Sequence, residues 1–86
     1  MSNKFDFEVA RKLEEMVFKA ADTLDVQTGQ MEKRFGNLQA FVQDSGYDAF
    51  AIEMSSANIA IDQVIAQMRS VARHIHDYAD RLRDVV

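Results

Sequence analysis

Apolar residues recur every seven positions through the second half of the chain. Tyr47, Met54, Ile61, Met68, Ile75 and Leu82 form one row, and Phe50, Ala57, Val64, Val71, Tyr78 and Val85 form another. With 48% of residues apolar, two random rows would be fully apolar about once in 7,000 trials, or once in about 1,000 over seven frames. A heptad seam sustained over six repeats predicts one long helix from about residue 46 to 84. A third row, Ala51, Asn58, Ile65, Ala72, Ala79 and Val86, is mostly apolar too. Three adjoining rows make a stripe wider than a two-stranded coiled coil uses, and suit a helix with two neighbours in a bundle.

The first half carries a looser version of the pattern. Ala10, Val17, Leu24, Met31 and Leu38 repeat every seven residues, flanked by Leu13, Ala20, Ala21, Phe35, Phe41 and Val42. Gln27-Thr28-Gly29 interrupts the stripe for one turn, where glycine costs about 1 kcal/mol relative to alanine. The phase resumes unshifted at Met31, which predicts one helix over about residues 7–43. Between the helices Asp44, Ser45 and Gly46 are read as the turn, with Ser45 as the N-cap and Asp48 three residues on in a capping-box position. So short a connection between long helices predicts an antiparallel hairpin, a single all-α domain over residues 1–86. A fold-back near residue 45 sets Phe7 near Leu82, Val17 near Ala72 and Leu38 near Ala51.

Two helices roughly 55 Å long leave much apolar surface uncovered. Small chains without metal or disulfide commonly obtain stability by association, so two hairpins pairing into a four-helix bundle is the expected assembly. Composition narrows the class further. The chain has no cysteine, which excludes a disulfide framework, a thiol nucleophile and thiolate metal sites. No proline and three glycines leave little turn chemistry for a β fold. No apolar run is long enough to span a membrane, and acids near the N-terminus stand where a signal peptide needs an apolar stretch. A net charge of −4 disfavours nucleic acid as a partner.

The sequence offers no convergent chemistry, so no catalytic residue, cofactor or metal is expected. His74 and His76 point about 200° apart on a helix and cannot chelate one ion. Acids 44, 48, 53 and 62 crowd the start of the second helix without a base, which reads either as a solvated face or as a dock for a basic partner. Tyr47, Phe50, Met54, Ile61, Val64 and Met68 are the candidates for hairpin and bundle packing. Phe18, Ile52 and Ile59 lie off the seam and are candidates for an additional partner.

The segment Leu38-Gln39-Ala40-Phe41-Val42-Gln43-Asp44-Ser45-Gly46-Tyr47-Asp48-Ala49-Phe50, followed by the heptad helix to Leu82, resembles the WXG-type small proteins of type VII secretion systems. That family closes its first helix with apolar residues and opens its second with an Ala-Phe or Ala-Tyr pair, which Ala49-Phe50 matches. Val42 stands where the family has Trp and Asp44 where it has Gly, and Leu82 replaces the acid of its Tyr-x-x-x-Asp/Glu tail. In this the chain is more similar to small helical partners encoded with LXG-type toxins.

The resemblance implies a non-enzymatic protein, cytoplasmic before export and secreted without a signal peptide. Its role would be as a small exported substrate or as a targeting partner for a larger toxin. The implied partners are a second copy, a related hairpin, or the helical N-terminal region of such a toxin. A generic coiled-coil adaptor, or a structural subunit of another secretion apparatus, is the competing expectation.

Overall fold

In a computed structural model the described residues, 4–42 and 44–85, form two helices, α1 (Lys4–Phe41) and α2 (Ser45–Val85), and no strand. They pack antiparallel as a hairpin whose extents are 62 × 16 × 12 Å. At 1.5 Å per residue, the 41 residues of α2 alone account for the long axis. Among the described residues no helix is long and apolar enough to cross a membrane.

The expected register holds at the open end, where Phe7 packs on the cluster of Ala10, Ala79 and Leu82. At the closed end Phe35 stacks on Tyr47 with ring centroids 5.3 Å apart, and both rings meet Phe50 edge-on at 5.8 and 5.3 Å. Between these ends Ala21, Ile65 and Ala72 are buried, with Val17, Leu24, Met54, Ile61 and Met68 half-buried around them. Among the described residues the fully enclosed positions, Ala21 and Ala79, are alanines, and no large side chain is completely buried.

The helix limits differ from expectation at the turn. α1 begins at Lys4 rather than near residue 7, and ends at Phe41; Gln43 lies outside the described residues. Ser45 and Gly46 are not turn residues but the first turn of α2. The cap is Asp44, not Ser45: its Oδ1 accepts the amide of Tyr47 at 2.8 Å, and its carbonyl accepts that of Asp48 at 3.0 Å. A carboxylate is the stronger acceptor for amides at the positive end of a helix dipole, so capping moves one residue upstream. Gly46 leaves room for it, since a Cβ there would lie 3.3 Å from Asp44 Oδ1.

α1 runs unbroken through Gln27-Thr28-Gly29. Thr28 faces inward and is 4% exposed, and its hydroxyl donates to Leu24 O at 2.7 Å. Bonding back to the preceding turn satisfies the hydroxyl without help from α2, so a polar residue occupies the seam without an orphaned donor.

Candidate partner-binding faces

The three apolar rows of α2 do not share one fate. The row through Tyr47 and Leu82 stays inside, with Tyr47 5% exposed and Met54, Ile61, Met68 and Ile75 half-buried. Its inner companion is the row Ala51, Asn58, Ile65, Ala72 and Ala79. The row expected to complete the seam, with Phe50, Val64, Val71 and Tyr78, instead lies on one flank of the hairpin with each of these four side chains exposed. Alanine explains the exchange: three Ala side chains let α1 approach closely along most of that row, whereas Phe, Val and Tyr would hold the helices apart. Close approach multiplies dispersion contacts, so the smaller row wins the interior.

On α1 the interior rows are Phe7, Glu14, Ala21, Thr28, Phe35 and Ala10, Val17, Leu24, Met31, all buried or half-buried. Leu13 and Ala20 turn outward, beside exposed Val9 and Met16. They meet the exposed row of α2 on a common side: Val9, Leu13, Ile75 and Tyr78 line one groove. Toward the turn, Gln30, Met31, Arg34, Leu38, Phe50 and Met54 line another on that same side. One flank of the rod is therefore apolar from end to end on α2, and apolar on α1 near its start and again at Leu38 and Phe41.

The opposite flank is polar and cross-braced. Arg69 reaches from α2 to Asp22 and Asp25 of α1, with both contacts at 3.0 Å. Nearer the open end His76 Nδ1 lies 2.8 Å from Arg11 Nη1 and 3.1 Å from Glu14 Oε2, and its Nε2 lies 3.3 Å from Asp80. Arg11 in turn pairs with Glu14 at 2.8 Å. A guanidinium only donates and a carboxylate only accepts, so Nδ1 accepts from Arg11 in the tautomer protonated on Nε2 and donates to Glu14 in the tautomer protonated on Nδ1. His76 thus joins the two helices as well as pairing within its own helix with Asp80. Phe18, exposed, shares a groove here with Arg69, Arg73 and His76.

The candidates read from sequence therefore separate into three groups. Tyr47, Met54, Ile61 and Met68 hold the hairpin itself together. Phe50 and Val64 belong to the apolar flank. Phe18, Ile52 and Ile59 are exposed and lie toward the polar side. Sequence reasoning did not single out Val9, Leu13, Val71 and Tyr78 as interface residues, although the last two share the heptad row of Phe50 and Val64. Among the described residues no three His, Asp or Glu side chains gather to hold a metal.

Comparison with known proteins gives no match: no family model, curated protein or solved structure is significantly similar to the chain.

Proposed function

We propose that the chain is a non-enzymatic helix-pairing protein of a type VII secretion system, acting as a small exported substrate or as a targeting partner for a larger secreted toxin. The observation that carries this reading is the apolar flank through Phe50, Val64, Val71 and Tyr78 on α2 and Val9, Leu13 and Met16 on α1. A water-exposed stripe of that length is costly, and a second helical hairpin is the shape that covers it evenly. The accessible surface supports the same conclusion. It is 6535 Å², against about 5,200 Å² for a compact protein of this mass. The excess of roughly 1,300 Å² exceeds the ~800 Å² that one partner contributes to a standard interface.

In this account the hairpin seam is complete in one chain, and the flank is the docking surface for a copy of the chain, a related hairpin or a toxin's helical region. The protein is cytoplasmic until exported with its partner. The likeness of residues 38–82 to WXG-type proteins supplies the secretion context, and the apolar flank supplies the mechanism.

The test uses a host that carries this gene and a type VII system. With the secretion ATPase intact, the tagged chain or its co-purified toxin is expected in the medium; with the ATPase inactivated, both remain in the cells. Val64→Asp/Val71→Asp is expected to abolish co-purification while retaining the helical circular dichroism of the chain. Export unaffected by loss of the ATPase, or a toxin complex indifferent to the double variant, would overturn the proposal. Open-ended filaments of the purified chain would favour a structural subunit instead, because a heterologous contact polymerises where a closed pair does not.

A further inference from the structure

Charge is distributed unevenly along the rod. The open end, residues 4–23 and 69–84, carries eight acids and eight bases, whereas the turn-ward half, residues 24–68, carries six acids and only Lys33 and Arg34. The whole net charge of −4 therefore resides in the turn-ward half.

The heptad rows say which residues face together there. The row of Arg73 and Asp80 lies on the polar side, and two and three heptads before Arg73 it holds Ile59 and Ile52, which are 59% and 74% exposed. The row of Arg69 continues back through Asp62 to Asp48. On α1 the row of Asp22 continues to Gly29 and Gly36, where an added Cβ would meet nothing within 4 Å. The row of Phe18 and Asp25 continues to Glu32. Turn-ward of Arg69 this face thus presents two isoleucines about 10 Å apart beside two bare stretches of backbone. Asp25, Glu32, Asp48 and Asp62 lie on the rows between the isoleucines and the glycines, and Lys33 lies on the row beyond the glycines. Arg69 engages Asp25, while Glu32, Asp48 and Asp62 take part in no ion pair among the described residues.

We propose that this turn-ward face docks a basic amphipathic helix of another protein. The isoleucines would receive its apolar residues, the glycines would let its backbone approach α1, and the surrounding carboxylates would pair with its lysines and arginines. Charge complementarity decides the occupant. A second copy would bring its own acid-rich half or its neutral half to this face, and neither answers −4. The surface is separate from the apolar flank on which the proposed function rests, so a negative result here leaves that reading untouched.

The test titrates the full ¹⁵N-labelled chain with a synthetic peptide of about 18 residues, with Leu on one helical face and Lys on the others. Amide shifts are expected at Ile52, Ile59, Gly29 and Gly36, with affinity falling as salt rises. Ile52→Ser/Ile59→Ser and, independently, Glu32→Lys/Asp62→Lys should each weaken binding by about tenfold or more. All four positions are solvent-facing, and helical circular dichroism of each variant verifies folding. The same peptide with Glu for Lys should not bind. Shifts confined to Val71 and Tyr78, unchanged affinity in both double variants, or equal binding of the acidic peptide would each overturn the proposal. Shifts at Ile52 and Ile59 on concentrating the chain alone would also overturn it, by assigning the face to a second copy.

Discussion

Phe35→Ala removes the α1 ring that touches both Tyr47 and Phe50 of α2, and with it the aromatic closure of the turn end. Phe35 is half-buried, so the change returns on the order of 100 Å² of apolar surface to water, worth about 2.5 kcal/mol. Its stacked contact at 5.3 Å and edge contact at 5.8 Å add about 1 kcal/mol together. The alanine methyl recovers a little, leaving an expected loss of about 3 kcal/mol. For a chain of this size that is a large fraction of total stability. Urea unfolding followed by helical circular dichroism, at matched protein concentration, measures it. Hydrogen exchange locates it: amides near residues 31–54 should lose protection, while those beside Ala10 and Ala79 change little, because the open-end cluster does not share these contacts. A loss below about 0.5 kcal/mol, or protection lost evenly along the rod, would refute the reasoning that the aromatic trio closes the hairpin.

Further substitutions probe the remaining contacts. Asp44→Ala should cost about 1 kcal/mol in urea unfolding as the Tyr47 amide loses its acceptor, whereas Ser45→Ala should stay within about 0.5 kcal/mol; the reverse order would restore Ser45 as the cap. Ala79→Leu forces a larger side chain into a position that is fully enclosed and should destabilise by about 1–3 kcal/mol, visible as a lower urea midpoint. Arg69→Ala should cost no more than about 1 kcal/mol, and that cost should shrink in high salt, because Arg69, Asp22 and Asp25 are all at least one-third exposed. Ile59→Asp should leave helical circular dichroism unchanged, since Ile59 supports nothing inside the hairpin; loss of helicity would make it a core residue.

The fold was legible because seven-residue periodicity is a property of sequence that survives into space. The uninterrupted phase of Ala10, Val17, Leu24 and Met31 correctly carried α1 through Gln27-Thr28-Gly29. What periodicity does not encode is which two of three adjoining apolar rows will face a neighbour. Ala72 and Ala79 offer less apolar area than Val71 and Tyr78, so apolar area alone ranks the rows in the wrong order. Interhelical distance reverses that order, and distance becomes known only when both helices are placed. The cap was misread for a related reason: Asp44 and Ser45 are both good N-caps, and choosing between them depends on where the first intrahelical bond forms. The link from His76 to Arg11 and Glu14 spans more than sixty residues of sequence and leaves no local signature. Exposure of Ile52 and Ile59 was foreseeable from their positions off the seam, but the charge environment around them required the register of both helices.

The central claim is that the flank of Phe50, Val64, Val71 and Tyr78 seats a second helical hairpin. Light scattering of the purified chain across a range of concentrations tests it most directly, with Val64→Asp/Val71→Asp measured beside it. The account predicts a mass near twice 9.8 kDa for the chain, and a helical particle of single-chain mass for the variant. A pair that persists in the variant, or a chain that stays single even with a related hairpin or its toxin's helical region added, would contradict it.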